Sequence, residues 1–213
     1  VVRHHSDRPS HTMSTSNLDQ FLAEHGVPGI SGLDTRALTR RLRTHGVMMG
    51  VIALNQTPED ALTLLKRSPV YGDVDYVARV STEEPYKWTR SPSPGPVKKR
   101  VVVEDYGLKY NILRILRSKG CEVIAMPSGA SVDDILSLQP DGIVLSPGPG
   151  DPELLDYAVA TVRGVIGKVP VLGICLGNQV LARALGGKTF KLKFGHRGGN
   201  HPVRDLSTGR IYI

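Results

Sequence analysis

The chain is poor in residues that would mark a stapled, membrane-spanning or aromatic-rich protein. It has two cysteines, Cys121 and Cys175, too few for a disulfide framework. It has one tryptophan and three phenylalanines, so aliphatic side chains must dominate any core. No apolar run approaches the roughly 20 residues needed to span a bilayer. Val1 to Ser10 is polar and histidine-rich and does not resemble a signal peptide. These absences predict a reducing, cytoplasmic setting with no membrane partner. The net charge is +7, but the basic residues are dispersed and no basic run interleaves with aromatics. Solvated helix faces and a charged partner surface account for them, and no nucleic acid partner is expected. His4, His5, His11, His25 and His45 lack metal-ligand spacing and read as surface residues, so no metal site is expected.

Glycine (23) and proline (15) are plentiful but follow no repeat, which implies tight turns in a globular chain. The run Thr89-Arg90-Ser91-Pro92-Ser93-Pro94-Gly95-Pro96 reads as a linker, because proline removes donors and disfavours helix before it. It divides the chain into residues 1–90, a linker at 91–98, and residues 99–213. In the first segment, Thr15-Ser16-Asn17 caps a helix that ends near Gly26, Asp34 opens a second that ends at Gly46, and Pro58 starts a third. Met48 to Ala53 reads as a short strand. The second segment alternates strand and helix. Strands are expected at Val101–Val103, Cys121–Ala125, Gly142–Leu145 and Val169–Ile174. Helices are expected at Asn111–Ser118, with Ile112, Ile115 and Leu116 inward, and at Val132–Leu138, Pro152–Ile166 and Asn178–Leu185. Such alternation implies βαβ units, a parallel sheet and an α/β fold. Sites in such sheets lie beyond the carboxyl ends of the strands.

The central chemical signal is Val171-Leu172-Gly173-Ile174-Cys175-Leu176-Gly177-Asn178-Gln179. An apolar strand runs into G-x-C-x-G and a helix follows, which is the arrangement of a nucleophile elbow with cysteine in place of serine. The sulfur needs a sharp turn to face a pocket. Side chains at Gly173 or Gly177 would collide with neighbouring backbone. The helix after Cys175 offers free N–H groups that favour negative charge, and the N–H of Leu176 is placed to hold a tetrahedral oxyanion. A lone G-x-C-x-G is equally compatible with a buried structural cysteine; the flanking strand and helix favour the nucleophile. A second turn, Ser146-Pro147-Gly148-Pro149-Gly150-Asp151-Pro152, also follows a strand and belongs on the same edge. Its glycines let backbone amides approach a ligand, although alone it could be only a rigid turn with proline at a helix start. It lacks the lysine and Ser/Thr of a phosphate loop, and no G-x-G-x-x-G follows the first strand.

With both motifs in hand, the second segment resembles the class I glutamine amidotransferase domain. The resemblance implies that Cys175 forms a γ-glutamyl thioester and releases ammonia. It also implies that the backbone amides of Gly148 and Leu176 contact substrate or oxyanion, and that Gly150 and Gln179 help to hold L-glutamine. Three further stretches resemble the small subunit of carbamoyl-phosphate synthetase: Gly32 to Arg40 (GLDTRALTR), Asp105 to Arg114 (DYGLKYNILR) and Phe194 to Val203 (FGHRGGNHPV). On that likeness, residues 1–90 are the remnant of a smaller N-terminal α+β domain, and residues 99–213 are an incomplete amidotransferase domain.

The family passes ammonia to a large subunit that makes carbamoyl phosphate from bicarbonate, for arginine and pyrimidine synthesis. That large subunit uses ATP and Mg²⁺, and no cofactor is expected in the small subunit. The histidine and glutamate that serve as base in the family lie in an HPE-like motif not found before Ile213. An Asn-His-Gly-Phe stretch and an early serine that contacts glutamine are also not found. The resemblance therefore implies an internal piece, truncated at both ends and with little activity of its own; His196 and His201 read as loop-shaping or tunnel-lining residues. Two other readings stand beside it: a subunit of the anthranilate or GMP synthase type, and a non-catalytic docking subunit.

Overall fold

The computed structural model describes residues 1–92, 95–195 and 202–213. The chain forms two compact units, one of Val1–Ser68 with Lys191–Ile213 and one of Pro69–Phe190. In the first unit, α1 (Leu18–Glu24), α2 (Thr35–His45) and α3 (Pro58–Arg67) start where side-chain caps satisfy the free amides of the first turn. Asn17 and Gln20 form a reciprocal capping box on α1. Asp34 Oδ1 accepts the N–H of Ala37 (2.9 Å), and Thr57 Oγ1 accepts that of Asp60 (3.1 Å). Gly46, at φ +88°, closes α2. The strand expected at Met48 to Ala53 does not form. No described segment pairs with it, and strand backbone needs a partner for its N–H and C=O groups.

The second unit opens with a short 3₁₀ turn at Tyr71–Asp73 and α4 (Val77–Val80). Its sheet comprises β1 (Tyr86–Lys87), β2 (Lys99–Asp105), β3 (Cys121–Pro127), β4 (Gly142–Leu145) and β5 (Val171–Gly173), in the order β1-β3-β2-β4-β5. Strands β3, β2, β4 and β5 are mutually parallel, and only β1 runs antiparallel, against β3. The helices are α5 (Tyr110–Ser118), α6 (Val132–Ser137), α7 (Asp156–Val165) and α8 (Leu176–Ala184). Each strand has two faces because side chains alternate. Val102, Ile143 and Leu145 pack with Ile135 of α6, Val159 and Val162 of α7, and Leu176 and Val180 of α8. Val103, Val123 and Val144 pack with Leu113 of α5 and with Trp88. Each fully buried Val or Leu of these layers contributes about 1.5–3 kcal/mol of transfer free energy.

The structure departs from the sequence reading at three further places. Helix α5 turns Leu113 fully inward and leaves Ile115 half exposed, because two apolar neighbours compete for one stripe. Pro152 starts a single 3₁₀ turn (Pro152–Leu154), and α7 begins separately at Asp156. The stretch 69–90, which the composition grouped with the first segment, lies in the compact unit of the sheet. There Tyr86 pairs with Ala125, and Trp88 donates to Ser91 Oγ (2.8 Å) while its ring fills the face below α5. A two-stranded hairpin of β6 (Val203–Arg204) and β7 (Ile211–Tyr212) completes the first unit. His196, His201 and part of the proline linker lie outside the described residues.

Candidate active site

The site grows from two adjacent parallel strands. Leu145 of β4 pairs with Gly173 of β5, so the turns that follow both strands leave from the same edge. The Ile174 N–H donates to the Leu145 carbonyl (3.0 Å) and the Gly177 N–H to the Ser146 carbonyl (3.1 Å), tying one turn to the other. Cys175 sits at the bend with φ +55° and ψ −111°, a conformation that L-residues rarely adopt. Strain of this kind costs on the order of 1–3 kcal/mol and persists only where surrounding contacts impose it. The contacts here are visible. A Cβ on Gly173 would lie 2.6 Å from the backbone of Asn178, and one on Gly177 would lie 2.2 Å from the Leu145 carbonyl oxygen. Only glycines let the start of α8 press this closely onto β4.

Cys175 is exposed, and no hydrogen bond to its sulfur is recorded among the described residues. Its carbonyl accepts the N–H groups of Asn178 (3.1 Å) and Gln179 (3.2 Å), which starts α8 directly at the nucleophile position. The first amide of that helix, on Leu176, has no carbonyl partner among the described residues, as helix geometry requires of a first-turn donor. Gln179 is half-buried one turn along α8, and Asn178 is exposed.

The glycine turn packs against the same place. A Cβ on Gly148 would meet the Tyr106 carbonyl oxygen at 2.0 Å and Leu176 Cδ2 at 2.9 Å. Gly148 therefore bridges the end of β2 and the residue after Cys175. Ser146 is fully buried; its Oγ accepts the Tyr106 N–H (2.8 Å) and donates to the Pro147 carbonyl (2.9 Å). Gly150 is at φ +96°, and its N–H donates to Tyr71 Oη (3.0 Å). Tyr71 escaped the sequence reading: nothing in Val70-Tyr71-Gly72-Asp73 signals that it reaches a turn 79 residues away.

Beneath the turn lies a buried polar pair. Glu104 of β2 is buried, and Tyr106 Oη–H donates to its Oε2, while Oε1 has no partner among the described residues. Burial pushes the Glu104 carboxyl up to about 7, against the opposing effect of the Tyr106 hydrogen bond. Burial also raises the Tyr106 phenol, with the Glu104 charge adding to it. Among the described residues no group of three or more His, Cys, Asp or Glu is placed to hold a metal, and no helix is long and apolar enough to cross a membrane.

Sequence comparison gives the class of protein to which this mostly parallel α/β sheet belongs. Residues 102–212 match the family model for glutamine amidotransferase class-I, and the chain belongs to that family. More particularly, residues 1–52 match the CPSase domain of the carbamoyl-phosphate synthase small chain. The relatives carry the same name. The carbamoyl phosphate synthase small chains of Methanopyrus kandleri and Symbiobacterium thermophilum are 46% and 47% identical to this chain, across all of it and 59% of their own length. The chloroplastic small chain of Oryza sativa is 44% identical, across all of this chain and 50% of its own length. The chain thus spans between half and about three-fifths of the relatives it matches.

Proposed function

We propose that this chain carries the nucleophile, Cys175, of the glutamine-hydrolysing chemistry of a carbamoyl-phosphate synthase, and that turnover also needs the family's histidine and glutamate base, which these residues do not include. The observation that carries the reading is the exposed cysteine at φ +55°, held on the amino end of α8, whose first residue, Leu176, packs beside Gly148. The Cys175 sulfur attacks the side-chain amide carbon of glutamine, so an S–C bond forms and the carbonyl oxygen becomes an oxyanion. The N–H groups of Leu176 and Gly148 donate to that oxygen. Collapse breaks the C–N bond; ammonia leaves with the thiol proton, and a γ-glutamyl thioester remains. Water then adds to the thioester and releases glutamate and the free thiol. Gly150 and Gln179 hold the amino-acid end of the substrate.

The product ammonia is passed to a large synthetase subunit. That partner uses ATP and Mg²⁺ to build carbamoyl phosphate from bicarbonate, which serves arginine and pyrimidine synthesis. The domain reading that goes with this function has residues 1–90 as the part that precedes the amidotransferase domain and 99–213 as that domain. A cytoplasmic location belongs to the same proposal, and the chloroplastic rice relative is the reason to test it directly.

The test is affinity labelling. A chloroketone analogue of glutamine is expected to alkylate Cys175 with saturation kinetics, to spare Cys121, and to be blocked by L-glutamine. Peptide mass spectrometry on the wild-type chain and on Cys175→Ser reads the result. Labelling that is linear in reagent concentration, or equal at Cys121, would sink the proposal.

A further inference from the structure

The segment 69–82 forms a strap over the carboxyl edge of the sheet, and its anchoring is distributed along its length. Val77 is fully buried. Tyr157 Oη–H donates to Asp75 Oδ2 (3.1 Å). The Ser128 N–H donates to Ser81 Oγ (2.9 Å), and the Thr82 N–H donates to Asp105 Oδ2 (3.1 Å). Val80 packs beside Gly107, whose other neighbours are Pro149 and Gly148 of the glycine turn. Tyr71 and Tyr76 stack at 5.0 Å between ring centroids, and Tyr76 also lies beside Gly150. The strap thus presents Tyr71 Oη to the Gly150 N–H at 3.0 Å, from a ring held on one face by Tyr76.

We infer that Tyr71 is a positioning residue that sets the affinity of this site for glutamine, because its hydroxyl oxygen occupies the Gly150 N–H that the substrate would otherwise use. The inference rests on the glutamine reading of the site and adds to it a residue from outside both motifs. A backbone amide has one hydrogen to give. A ligand acceptor that takes the Gly150 N–H competes for it with the phenol oxygen of Tyr71. The net worth of one such exchange corresponds to about a 3- to 10-fold change in affinity. The exchange concerns binding and leaves the sulfur untouched. Tyr71 therefore acts on the concentration of substrate needed, and not on the rate of attack once substrate is bound.

Saturation labelling of Cys175 by the chloroketone analogue separates these quantities, with iodoacetamide as a probe that needs no glutamine contacts. Tyr71→Phe keeps the ring that stacks on Tyr76 and removes the hydroxyl that accepts the Gly150 N–H. The expected result is a KI lowered about 3- to 10-fold, with the maximal inactivation rate and the iodoacetamide rate both within twofold of wild type. A KI that is unchanged or raised overturns the inference while wild-type saturation still supports the glutamine site. Non-saturable labelling of the wild type removes the glutamine reading itself, and this inference with it. A Tyr71→Phe chain whose iodoacetamide rate also changes severalfold counts against the inference, since the phenol would then be shaping the elbow and not the binding donor.

Discussion

The two compact units make helices on different terms. In Val1–Ser68, α1 and α2 bury no residue and α3 buries only Ala61, yet all three start at a side-chain cap. In Pro69–Phe190, α5 and α7 lack a side-chain cap but bury Leu113, Ala158, Val159, Val162 and Val165 against the sheet. The comparison shows two sources of order. Local hydrogen bonding decides where the helices of the first unit begin, and tertiary burial supplies most of the stability of those in the second.

The difference breaks most sharply on truncation of apolar residues. Leu113→Ala removes a fully buried side chain and is expected to cost about 2–5 kcal/mol. Leu38→Ala, at a side chain 42% exposed on α2, should stay within about 0.5 kcal/mol. Denaturant melts of both variants check this; equal losses would mean that the two units share one source of stability.

Next in size is the buried carboxyl of the second unit. Glu104 is raised in the folded chain from an ordinary 4.5 to about 7 by burial. Folding therefore binds its proton more tightly, and the contribution is complete below about pH 4.5 and lost as pH rises through about 7. The loss is on the order of 3 kcal/mol between those limits. Glu104→Gln should flatten that fall, and thermal melts from pH 4.5 to 8 read it. A wild-type slope retained in the variant would place the titration elsewhere.

A smaller loss than that of the buried groups is expected at a helix cap of the first unit. Asp34→Ala removes the acceptor for the Ala37 N–H and should cost α2 about 0.5–2 kcal/mol, seen as lost helical circular dichroism. If α2 keeps its full signal, the cap is not what starts it.

Much of the site was legible from the residues because its demands are local. A strand, G-x-C-x-G and a helix in that order favour a tight bend at the cysteine, and the collisions awaiting a Cβ at Gly173 and Gly177 show why those positions are glycine. The paired strands β4 and β5 then bring Ser146–Asp151 to the same edge. Tyr71, Tyr76 and the Glu104–Tyr106 pair were not legible. Tyrosines and acidic residues are ordinary in a loop or at a strand end, and neither pattern nor spacing says that a hydroxyl will meet an amide 79 residues on. The failed strand at Met48–Ala53 is the same lesson inverted: an apolar run with strand propensity stays irregular where no neighbour offers hydrogen bonds.

Alone, the order of amino acids determined the alternation of strands and helices in the second unit, the caps of the first, and the cysteine bend with its glycines. Each depends on residues within a few positions of one another. Tertiary structure decided which amide of the glycine turn is occupied, which carboxyl is buried, and that residues 69–90 close one edge of the sheet. Those outcomes depend on distances between parts of the chain that only folding brings together.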